Sequence, residues 1–111
     1  MAKLERRLKG EFNKVLNELH QGILDASMSA SYEDGSDYVS GDVRCALRVY
    51  ERYSYMGGNR VSMALTLMGS GDDIFLSAIT SGGSQAVFFK VNTWGEEAFL
   101  DTLRELVDRM N

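Results

Sequence analysis

Leu4, Leu8, Phe12, Val15, Leu16 and Leu19 recur at spacings of three and four, the apolar stripe of an amphipathic helix over about 2–21. Lys3, Arg6, Lys9, Lys14 and Glu18 fall largely off that stripe, and Gly22 suits the left-handed residue that closes a helix. From Leu24 the period changes to two. Leu24, Ala26, Met28, Ala30 and Tyr32 alternate with Asp25, Ser27, Ser29 and Ser31, the pattern of a strand with one buried face. Glu33–Asp37 reads as a turn, with Asp34-Gly35 suited to a tight hairpin. The segment Tyr38–Gly41 either begins the next strand before a bulge at Gly41 or is loop.

Val43, Cys45, Leu47 and Val49 then alternate with Arg44, Ala46, Arg48 and Tyr50, predicting a strand that runs on to Tyr55 with the first set facing inward. Three more strands are expected over 61–67, 74–80 and 85–91, separated by turns at Gly57–Asn59, Gly69–Asp73 and Ser81–Ser84. Thr93 and Glu96 form a Thr-x-x-Glu capping box that opens a last helix, whose stripe is Phe99, Leu100, Leu103, Leu106, Val107 and Met110. Hairpin-length connections force an antiparallel meander, and two amphipathic helices need one sheet face to cover. The expected fold is a single α+β domain over 1–111. It is a two-layer sandwich, a four- to five-stranded antiparallel meander with an N-terminal and a C-terminal helix on one face.

The other face divides. Ser27, Ser29, Ser31, Ala46, Ser62, Ala64 and Thr66 finish it in small or polar residues over the first three strands. In the last two strands Phe75, Ile79, Val87, Phe89 and Val91 leave it apolar, and strands apolar on both faces are usually buried on both. A second copy of the chain is the simplest cover; helices that wrap further, or one misregistered strand, are the alternatives.

Composition narrows the partners. Sixteen acids against twelve bases give a net charge of −4, which disfavours nucleic acid and anionic membranes. No stretch approaches the length of an apolar membrane span, and one cysteine, Cys45, excludes an internal disulfide framework. A cytoplasmic location follows as an expectation. Cys45 alternates with apolar residues, which predicts a buried, inert thiol.

Candidate chemistry is sparse. Thr80, Ser81, Gly82, Gly83 and Ser84 could gather donors around an anion, but the turn joins two strands and no lysine follows as in a phosphate loop. Arg44, Arg48, Tyr50 and Arg52 share one strand face, with Arg60 and Lys90 as neighbours, and could bind an anion or single-stranded nucleic acid. Glu51 with Tyr53 and Tyr55, read on the buried side, is the one candidate general base. Glu33, Asp34, Asp37 and Asp42 lack EF-hand spacing, and His20 is explained by a helix end. No metal and no cofactor is called for.

Three stretches carry a resemblance. Thr80-Ser-Gly-Gly-Ser-Gln-Ala-Val-Phe-Phe-Lys90, Asn92-Thr-Trp-Gly-Glu-Glu-Ala-Phe-Leu100 and Arg48-Val-Tyr-Glu-Arg-Tyr53 resemble small bacterial proteins known only as a domain of unknown function. The resemblance implies a bacterial origin and a stand-alone domain, and it carries over no activity. The leading expectation is a non-enzymatic interaction or small-ligand-binding module that self-associates. A small enzyme near Glu51, Tyr53 and Tyr55 is the alternative, and the arginine face a weaker one.

Overall fold

The computed structural model describes residues 1–53, 60–82 and 89–110. Its elements are β1 (Ala2–Lys9), α1 (Phe12–Asp25), β2 (Ser31–Ser40), β3 (Val43–Tyr53), β4 (Arg60–Ser70), β5 (Asp73–Gly82) and α2 (Phe89–Met110). The five strands form one antiparallel sheet in the order β1-β5-β4-β3-β2. The expected α+β class, with two helices against an antiparallel sheet, is what the chain adopts.

The N-terminus departs from expectation. Residues 2–9 are a strand, and the helix begins only at Phe12. Ala2, Leu4 and Leu8 alternate with Lys3, Glu5, Arg7 and Lys9, a period of two that the Leu4–Leu8 spacing of four disguises. Gly10 breaks the run; its N–H donates to the Asp72 carbonyl (3.0 Å). Glu11 then caps α1, its carboxylate accepting from the amides of Asn13 and Lys14.

The helix continues through Gly22 to Asp25, so the strand expected from Leu24 is helix end and connection. Gly22 lies where α1 meets α2: a Cβ there would come within 2.6 Å of Leu106. The acidic stretch Glu33–Asp37 lies within β2, not in a turn. An edge strand exposed on both faces tolerates such residues, and the register shift between Tyr32 and Asp34 marks a bulge at Glu33. The real hairpin sits at Gly41-Asp42, and a matching one at Gly71-Asp72. Gly41 (φ +60°) and Gly71 (φ +61°) occupy the first central position, as in the II′ turn that suits strand twist.

At the C-terminus, Phe89–Val91 belong to α2 rather than to a fifth meander strand, and Thr93 lies inside the helix rather than capping it. Tyr55, the Gly57–Asn59 turn, Gly83, Ser84 and residues 85–88 lie outside the described residues. The fifth strand is supplied instead by β1, which pairs with β5 along its whole length from Ala2↔Thr80 to Lys9↔Asp73.

Both helices cover one face. Leu19 and Ile23 of α1 and Phe99, Leu100, Leu103 and Val107 of α2 join Leu4, Leu8, Met63, Leu65, Leu67, Ile74, Leu76 and Ala78 in one buried core. Burying each of the larger side chains contributes about 1.5–3 kcal/mol.

Candidate interaction face

The face of β3 is inverted relative to the sequence reading. Pairing sets Arg48 opposite Leu65, Tyr50 opposite Met63 and Arg52 opposite Val61, so the arginines and Tyr50 point toward the helices. Their stems line the rim of the core. The Arg44 guanidinium lies 4.9 Å from the centre of the Phe12 ring, and that of Arg52 lies 4.7 Å from Phe99. Arg48 reaches Asp37 at 2.9 Å and also donates to the carbonyls of Ser36 and Leu47. Thus Arg44, Arg48, Tyr50 and Arg52 do share a face, but packing and ion pairing engage it.

Tyr50 is fully buried, with its hydroxyl 2.8 Å from His20 Nδ1 and Tyr32 beside both rings. Burial pushes the Tyr50 phenol up to about 12 from 10.0, against an opposing pull from the Arg48 charge. The unfolded phenol therefore ionises first. The stabilisation is complete below pH 10 and is lost as pH rises through the folded value, a change of roughly 2–3 kcal/mol. Denaturant melts from pH 9 to 12 should show this loss, and Tyr50→Phe should flatten it. An unchanged alkaline slope in the variant would assign the loss to another group.

Val43, Cys45, Leu47, Val49, Glu51 and Tyr53 occupy the opposite face, which no described helix covers. Cys45 is accordingly half-buried rather than buried. Glu51 is on this open side too, bound by Arg60 Nε at 2.6 Å, while Arg60 also stacks on Tyr53 (5.3 Å) and approaches Glu33 (3.6 Å). The Glu51/Tyr53 pair is therefore a surface ion-pair cluster. Asp37 and Glu33 are likewise engaged, and among the described residues no three His, Cys, Asp or Glu side chains gather as metal ligands would.

The described part of the Thr80–Ser84 turn has a different occupation. Thr80, fully buried, donates to the Glu96 carbonyl at 3.0 Å, and the Gly82 amide donates to Glu96 Oε2 at 2.7 Å. The Glu96 carboxylate, assigned to a helix cap by sequence, instead clasps the end of β5, with the Met1 nitrogen 2.9 Å from Oε1.

On the open face the strand register builds rows. One row runs Arg7–Phe75–Met68–Cys45–Tyr38 across all five strands, the next Glu5–Ser77–Thr66–Leu47–Ser36, the next Lys3–Ile79–Ala64–Val49–Asp34. Phe75, Ile79, Met68 and Leu47 are each 38–47% exposed, far more than the core strands allow on their inner side. A shallow hollow of about 770 Å³, lined by Arg7, Val43, Met68, Asp73 and Phe75, lies at one end. Sequence identifies Phe75 and Ile79 on this face. It misses Leu47, because the faces of β3 read inverted, and Met68 and Tyr38, because only the pairing register puts them in the row of Phe75.

The chain matches, over residues 1–111, the model of a family of unknown function, DUF6054, and belongs to that family. No curated protein and no solved structure matches it.

Proposed function

We propose that this DUF6054 chain is a non-enzymatic interaction module that self-associates through the open face of its sheet. One observation carries the reading: a contiguous apolar band of Phe75, Met68, Leu47, Ile79 and Val49 with no described element over it. Its neighbours on β4, Ser62, Ala64 and Thr66, are small, so a second sheet can approach closely. Five strands of about ten residues present a face of roughly 24 Å by 33 Å, about 800 Å², which is the area each partner contributes to a stable interface. The unbridged, half-buried Cys45 suits the reducing conditions of a cytoplasm, the location we assign to it.

Light scattering on the full chain tests the reading. A dimer is expected at micromolar concentration, with a Tm that rises with protein concentration. Phe75→Asp should shift the chain to monomer, weakening association at least tenfold. Since Phe75 is 40% exposed, the folded protomer should survive, shown by an unchanged far-ultraviolet spectrum. A wild-type chain that stays monomeric at high concentration would sink the proposal.

A further inference from the structure

We infer that the partner on the open face is a second copy placed by a two-fold axis running along β4, so that β1 of each protomer lies over β2 of the other. The inference rests on the self-association reading and adds its geometry. It starts from the two edges of the face. On β1 the outward side chains are Lys3, Glu5, Arg7 and Lys9, a column with a net positive charge. On β2 the charged outward side chains are Glu33 and Asp34, both acidic; Glu33 approaches Arg60 of the same face. No ion pair engages Lys3, Arg7 or Asp34 among the described residues. Opposite charges thus stand at opposite edges.

Two in-plane two-fold axes can bring such a face onto itself. An axis across the strands lays each column on its own copy in reversed order, setting the net-positive column of β1 against an equally positive one. An axis along the strands exchanges the edges. Because β4 is the middle strand of five, an axis along it superposes the partner's β1 on β2 and the partner's β5 on β3. Rows are preserved by this operation. Lys3 and Asp34 lie in one row, as do Arg7 and Tyr38, so the axis offers each protomer two matched edge contacts. One is an ion pair and the other a cation over an aromatic ring. In the interior, Met68 meets Met68 and Phe75 meets the Cys45 region. Aligned sheets rotate by about 30°, which shifts the edge rows by about 5 Å, within the reach of lysine and arginine side chains.

Charge reversal tests the axis by sedimentation equilibrium at low salt. Lys3→Glu alone and Asp34→Lys alone should each weaken the dimer about tenfold, by placing like charges together. Mixing the two variants should recover wild-type association, because both contacts between positions 3 and 34 in the mixed dimer are again between opposite charges. Lys3→Glu mixed with Asp42→Lys is the control. It has the same net charges, but Asp42 sits in the hairpin turn beyond the rows, so its mixed dimer keeps one like-charge contact and should recover less than the first mixture. A wild-type dimer whose Lys3→Glu/Asp34→Lys mixture gains no more than the control overturns the axis and leaves self-association standing. A monomeric wild type overturns both.

Discussion

Phe99→Ala should lower the unfolding free energy by about 3–5 kcal/mol, the usual cost of emptying a buried aromatic site. Phe99 is fully buried where α2 crosses the sheet, and its ring carries the Arg52 guanidinium at 4.7 Å. Truncation removes both the core contact and the surface on which Arg52 lies. Arg52 also donates to Thr102 of α2 at 3.4 Å, a long bond that holds less well without the ring beside it. For a domain near 100 residues, each kcal/mol moves the midpoint by about 4–8 °C, so a fall of at least 12 °C in Tm is expected. Calorimetry reads it directly. A shift under about 4 °C would mean that the helix packs elsewhere.

The second large effect is expected at Glu96. Glu96 is 4% exposed, and its carboxylate accepts from the Gly82 amide, joining α2 to the end of β5. A hydrogen bond to a charged group contributes about 1.5–3 kcal/mol, and stranding its partner adds a further desolvation cost. Glu96→Ala should therefore destabilise the fold by about 2–4 kcal/mol. Glu96→Gln keeps an acceptor oxygen and should recover at least half of that loss. Urea unfolding of the three proteins separates the cases. Equal losses in the Ala and Gln variants would assign the effect to charge rather than to the Gly82 bond.

Where sequence pattern and structure agree, one face of an element is buried by a continuous partner. Val61, Met63, Leu65 and Leu67 point inward as their alternation requires, as do Ile74, Leu76 and Ala78, and the stripe of α2 from Phe99 onward is the core. Agreement fails where burial is incomplete or borrowed. In β3 the apolar set Val43, Cys45, Leu47 and Val49 looks like the inner face. Yet Arg44 and Arg52 face inward while staying part-exposed, their guanidinium groups lying over the Phe12 and Phe99 rings at the core margin. A charged residue can thus face inward without a charge being buried. In residues 2–9, Arg6 stands at an inward position and interrupts the alternation, while its guanidinium reaches Asp108 at 2.6 Å. Leu4 and Leu8 alone then satisfy helix and strand equally. In the candidate face, Phe75 and Ile79 are visible as doubly apolar strand positions. The edge charges are not, because Lys3 and Asp34 meet one row only through the pairing of all five strands.

The place of β1 has a consequence for how the chain is tied together. Strands β2 to β5 are consecutive, and the β2–β3 and β4–β5 turns each span two residues. By contrast, Lys9 meets Asp73 across 64 residues. In an unfolded chain, closing a loop of that length costs about 3 kcal/mol more in entropy than closing a two-residue turn. The strand that starts the sequence is thus the least local piece of the sheet. Its eight paired residues, Leu4 and Leu8 among them, must offset that closure before the meander gains its last edge. The fold is closed by its beginning.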